Sequence, residues 1–263
     1  MISIIGMPYD DESSFLKGAS HAPPIIRNAF KSDSSNTYAE SEIDVGEHPE
    51  IRDLGDLDLG SGQNARDQIE AAIRNQAMEG AKVLSLGGDH SITYPILKGY
   101  ASKHGKINVL QFDAHSDLYE EFDGKRYSHA CQFTRAHEDG IVNSHLQVGV
   151  RTINEQQRKQ IDKYDVQVVN AKDFSETLIE VDGPVYITLD LDVFEPGLVP
   201  GISHYEPGGL TVRDVVNVIQ DLEVPVIGAD IVEYNPKRDI NEITAMVAAK
   251  FMKELLSKML SDI

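Results

Sequence analysis

The chain has little of what would point to disulfides, nucleic acid or a bilayer. A single cysteine, Cys131, among 263 residues excludes an internal disulfide framework and any thiolate-rich zinc site. Basic residues are scarce: 24 Lys and Arg stand against 43 Asp and Glu, a formal net charge of −19. That balance argues against nucleic acid, because neutralising phosphates needs clustered cations. It suits a small cationic partner attracted by an acidic surface. No run of 18 or more apolar residues is present, so no transmembrane helix and no membrane partner are expected. The opening MISIIGMPYDDESS lacks the basic and long apolar segments of a secretory signal. It reads as the first strand of a cytoplasmic protein.

What is present is ample apolar material, 41% of the residues, enough for one large α/β domain over residues 1–263. Short β-branched runs at 2–6, 50–54, 82–87, 107–112, 146–150, 166–169, 184–191 and 225–232 read as strands. Segments of helical period lie between them at 23–31, 62–80, 92–104, 154–164, 211–222 and 240–261. Near-continuous apolar strands alternating with helices imply a mostly parallel sheet covered on both faces, the three-layer α/β/α arrangement. Periodicity does not order those strands.

Ligands of open parallel sheets gather beyond the C-terminal ends of the strands, and several of these strands end in unusual polar groups. GGDHS places His90 just past the third. The fourth runs into DAHSD, with Asp113, His115 and Asp117. LDLDV carries Asp190 and Asp192, and DIVEYNP carries Asp230 and Glu233. A spacing of two on an extended chain turns alternate residues to one side. Carboxylates collected at a half-buried strand end are costly unless a cation offsets them. Oxygen donors with a minority of imidazole favour Mn²⁺ or a similar ion. Four aspartates match the charge of two divalent ions, and a two-metal site makes hydroxide available at neutral pH.

These blocks, with EPGGLT at 206–211, resemble the arginase–agmatinase (ureohydrolase) family along nearly the whole chain. The resemblance implies an arginase-like fold and two Mn²⁺ ions that hydrolyse a guanidino compound to urea and an amine. It implies one ion on His90, Asp113, Asp117 and Asp190, and a second on Asp113, His115, Asp190 and Asp192. It further implies that Glu233 pairs with the substrate guanidinium, that His129 helps move a proton to the leaving amine, and that the chain forms a homo-oligomer, a trimer or hexamer. Asp230 is expected to support a ligand rather than be one.

The tail of the substrate is expected to be read by 118–128, LYEEFDGKRYS. Tyr119 stands where arginases usually carry an asparagine, and Glu120, Glu121 and Asp123 favour a cationic tail. Agmatine, cleaved to putrescine and urea, is therefore the expected substrate. Guanidinobutyrate, arginine and formimidoylglutamate are the alternatives. A zinc deacetylase-like metallohydrolase and a non-catalytic family member are the rivals of other classes.

Overall fold

The computed structural model describes residues 1–261. Its strands are β1 (Ile2–Gly6), β2 (Ile51–Asp56), β3 (Lys82–Leu86), β4 (Ile107–Phe112), β5 (Val142–Val150), β6 (Gln167–Asn170), β7 (Val185–Asp190) and β8 (Val226–Val232). All are parallel and join one sheet in the order β2-β1-β3-β8-β7-β4-β5-β6. The helices are α1 (Ala22–Phe30), α2 (Gly62–Met78), α3 (Thr93–His104), α4 (Gln132–Glu138), α5 (Glu155–Tyr164), α6 (Val212–Asp221) and α7 (Ile243–Leu260).

The apolar strands make sense because each feeds two cores. Val185, Ile187 and Leu189 of β7 pack on one face with α1, α6 and α7. Tyr186 turns to the other face, with residues of α2, α3, α4 and α5. Each fully buried Val, Ile or Leu contributes roughly 1.5–3 kcal/mol relative to exposure, so helices on both faces are needed to hold the sheet. Asn154 and Thr211 start α5 and α6 with capping boxes closed by Gln157 and Asp214, which satisfies end amides the helices leave open.

Two elements start three or more residues from the sequence expectation, and one helix was not expected. β5 begins at Val142 rather than 146, because Asn143 and Ser144 both donate to Asn108 Oδ1, at 2.7 and 2.9 Å, so polar residues extend the strand. α7 begins at Ile243 rather than 240, where Glu242 turns left-handed (φ 59). Helix α4 is unexpected. Its seven residues are too few to show a helical period, yet Phe133 and Ala136 are fully buried in the second core.

Candidate metal centre

The four central strands, β3-β8-β7-β4, present their C-terminal ends side by side. Each delivers part of one polar cluster. β3 continues through Gly87 and Gly88 to His90. A Cβ on Gly88 would lie 1.7 Å from the Tyr9 carbonyl oxygen; this close approach, not backbone freedom, demands glycine there. β4 leads into Asp113, His115 and Asp117. β7 ends on Asp190, with Asp192 in the next turn, and β8 passes directly into Glu233. Asp117 and Glu233 have φ values of 51 and 64. Side-chain-bearing residues rarely hold such values except where the surroundings enforce them, typically at functional sites.

The six expected ligands converge. His90 Nδ1 lies 3.1 Å from Asp113 Oδ2, 3.1 Å from Asp117 Oδ2 and 3.2 Å from Asp190 Oδ2. His115 Nδ1 lies 2.8 Å from Asp192 Oδ2 and 3.5 Å from Asp113 Oδ1. Asp113 thus turns one oxygen to each imidazole. His90, Asp113 and Asp117 form one group with ligand atoms within 4.8 Å of one another, and Asp113, His115 and Asp192 form a second. Asp190 joins through His90, and its Oδ1 accepts the Asp192 amide at 2.8 Å. Backbone amides aim the other carboxylates: His115 N–H donates to Asp113 Oδ1 and Ala114 N–H to Asp192 Oδ1, at 2.6 and 3.0 Å.

Whether these side chains fit a metal is decided at His90. Its Nε2 sits 2.9 Å from Thr188 Oγ1, which in turn sits 2.6 Å from Asp230 Oδ1. Asp230 also accepts from Thr93 and Tyr186, so Thr188 gives its proton to Asp230 and takes one from His90 Nε2. Nδ1 then turns a lone pair toward three carboxylate oxygens, with no directed hydrogen bond although it is fully buried. Such an arrangement repels by itself and attracts around a cation. The donor set of carboxylates and two imidazoles suits a hard divalent ion. The carboxylates favour positive charge at this place, carried by a proton or by an ion. Burial opposes charge on His90 and His115, yet the neighbouring aspartates drive both well above the usual histidine range. Burial, Asp192 and Asp113 push Asp190 well above the usual carboxylate range. Asp230 meets His90 only through Thr188 and is in neither ligand group.

Glu233 and His129 form a separate pair. Glu233 Oε1 accepts from His90 N–H at 2.9 Å and meets His129 Nδ1 at 2.8 Å. His129 Nε2 faces the Ser14 amide and hydroxyl at 3.2 and 2.8 Å. An amide only donates, so Ser14 favours a neutral ring with its proton on Nδ1. Against burial, Glu233 and Asp89 raise the ring to about 9. Ser14 and the carboxylates thus pull this proton in opposite directions.

Several contributors carried no local sequence signal. Gln111 Nε2 donates to Asp113 Oδ2 at 2.8 Å and Gln132 Nε2 to Asp117 Oδ2 at 2.6 Å. Arg151 spends its guanidinium on the carbonyls of Gly149, Asp192, Val193, Phe194 and Glu206, fixing the turn after β7. Cys131 is buried, its thiol pushed up to about 12 by desolvation; it packs.

The cluster opens into a cavity of about 230 Å³ whose wall includes Tyr119, Phe122, Thr152, Gln157, His204 and Glu206. The expectation that the acids of 118–128 read the substrate tail fails. Glu120, Glu121 and Asp123 are exposed and none of them lines the cavity. Glu120 is held by Gln160 of α5 at 2.8 Å. Lys125 and Arg126 are exposed as well, turned to Asp11 and Glu138.

Comparison with known proteins agrees with this geometry. The Arginase family model matches residues 1–257. An arginase of Glycine max is 40% identical over 98% of this chain and 79% of its own length. An agmatinase of Photorhabdus laumondii is 31% identical over 96% of this chain and 85% of its own. The structure of the arginase from Medicago truncatula superimposes with a TM-score of 0.92 at 36% identity, covering 98% of this chain and 87% of that one.

Proposed function

The chain belongs to the Arginase family, and from that premise we propose that it hydrolyses arginine to urea and ornithine with two Mn²⁺ ions in the acidic cluster. The observation that carries this reading is the pair of ligand groups sharing Asp113. One ion would rest on His90, Asp113, Asp117 and Asp190, the other on Asp113, His115, Asp190 and Asp192. When bound, the ions supply Lewis acidity and make water nucleophilic at neutral pH. The protein's own groups do the rest. Both hydrogen bonds to the Glu233 side chain fall on Oε1, which leaves Oε2 for a guanidinium, a planar donor suited to a carboxylate. His129 keeps its Nδ1 proton toward Glu233; drawn up to about 9, the ring would take a second proton at Nε2 and give that one to the leaving amine.

Two observations support arginine over the agmatine expected above. Identity to the soybean arginase exceeds that to the agmatinase, 40% against 31%. The acids invoked for a cationic tail also lie off the cavity. Agmatine is the second reading, favoured by a wall that contains Glu206 and no Lys or Arg to receive a carboxylate. A homo-oligomer and a cytoplasmic setting complete the proposal; a lone buried thiol suits a reducing compartment.

The test is urea release by Mn²⁺-loaded protein offered arginine, agmatine and guanidinobutyrate. Arginine should give the highest kcat/KM. A preference for agmatine would replace the substrate. Loaded protein that binds two ions and makes urea from none of them would overturn the hydrolase reading in favour of a non-catalytic member.

A further inference from the structure

Beneath the cluster, where a parallel strand would ordinarily be apolar, lies a buried line of polar side chains that the reaction does not use. Gln111 of β4 is fully buried and sits in register with Gln147 of β5, also fully buried. His145 of β5 is 3% exposed. Burying such groups in place of aliphatic ones costs stability unless every hydrogen bond is made, and here the bonds run in one direction.

That direction can be worked out from its end. Asp113 accepts, so the Gln111 group 2.8 Å from its Oδ2 is the amide NH₂, which also donates to the His115 carbonyl at 3.3 Å. Gln111 Oε1 must then accept, from Gln147 Nε2 at 2.8 Å and from His145 Nε2 at 2.9 Å. With its proton on Nε2, His145 accepts on Nδ1 from His137 Nε2 at 3.1 Å. His137 is held by stacking on Tyr164, ring centres 4.6 Å apart. Phe133 fills the space between the line and the cluster, against His145 at 4.7 Å and against His90 at 5.4 Å. Turning over the Gln111 amide would set its oxygen against Asp113, so the line has one polarity.

We propose that His137, His145 and Gln111 form a positioning relay that fixes the Asp113 carboxylate between the two imidazoles and so sets the affinity of the cluster for its ions. The inference rests on the metal reading above. Neutral rings are required, because each must donate on one nitrogen and accept on the other or face solvent. Burial supplies them, holding His145 well below the usual histidine range and bringing His137 down to about 4. The relay adds no charge to a site already rich in it. Its contribution is direction, since each donor polarises the next and the last is aimed at Asp113, which belongs to both ligand groups.

The experiment is Mn²⁺ titration by calorimetry on chelator-stripped protein, with circular dichroism to establish that each variant is folded. Gln111→Leu should weaken binding of at least one ion by about tenfold or more. His145→Leu should weaken it in the same sense and less, and His145→Gln, which restores a donor, should recover most of the loss. Because His145 acts through Gln111, the double variant should bind no worse than Gln111→Leu alone. Two outcomes overturn the relay: single variants that bind Mn²⁺ within about twofold of wild type, or losses that add in full. If His145→Leu fails to fold, His137→Phe, which keeps the stacking on Tyr164, decides the same question. Wild-type protein that takes up no Mn²⁺ would refute the metal reading itself, an outcome distinct from a wild type that binds while its variants bind equally well.

Discussion

Glu233 holds an unfavourable backbone conformation and two hydrogen bonds on one oxygen, a combination that keeps its carboxylate in place whether or not substrate is near. Glu233→Gln removes the charge while keeping the shape. It should lower kcat/KM for the guanidino substrate by about 30- to 5,000-fold, the equivalent of roughly 2–5 kcal/mol for a lost buried charge pair, with the Mn²⁺ content of the protein unchanged. A parallel loss of metal would mean that Glu233 serves the cluster instead of the substrate. Asp113, His115, Asp117, Asp190 and Asp192 stood out in the sequence because period-two spacing at a strand end is local, whereas Glu233 and His129 took their roles only from the family resemblance. Their partners did not stand out. Gln111, Gln132, Thr188 and Ser14 are neutral residues whose importance depends on which strand or loop lies beside them. No spacing within one segment encodes that.

The loop at 7–18 and the turn after β3 are bound together so closely that the backbone itself is the fit. Glu12 N–H and the Ser13 hydroxyl reach Asp89 at 3.1 and 3.3 Å, and the Asp89 amide reaches the Tyr9 carbonyl at 2.8 Å. A methyl on Gly88 would displace both segments, and with them Ser14 and His90. Gly88→Ala should cost about 3 kcal/mol of stability, at the upper end for overpacking. The loss is read as a lower midpoint in urea at unchanged slope. A midpoint within about 0.5 kcal/mol of wild type would show that the loop has room to yield. The central strands were legible at this scale because burial on both faces makes them largely apolar. Helix α4 was hidden by shortness, and its polar sequence conceals that Phe133 and Gln132 serve the core and the cluster.

At the scale of the molecule, acid should weaken the fold through two histidines that burial keeps neutral. Unfolded histidine titrates near 6.5, whereas His137 is held down at about 4 and His145 well below the usual range. Folded values below unfolded ones mean that the unfolded chain binds more protons as pH falls. Stability present above about pH 6.5 is therefore lost progressively toward pH 4. Between about pH 7.5 and about pH 5, His137 alone accounts for a loss of roughly 2 kcal/mol. Urea midpoints should fall by that much more in wild type than in His137→Gln; identical pH dependence in the two would refute it. The order of the strands, unlike their existence, was not legible, since parallel pairing leaves no mark on which strand is neighbour to which.

That order has a consequence for how the protein is made. β8, the last strand, is the one that joins β3 to β7. Pairing within the sheet alone leaves two fragments until β8 is in place, β2-β1-β3 and β7-β4-β5-β6. His90 follows the first, and the aspartates of β4 and β7 lie in the second. A chain that folds from its N-terminus is expected to bring Asp113, His115 and Asp192 together once β7 pairs with β4. The strand that closes the sheet between His90 and those aspartates ends only at residue 232 of 263.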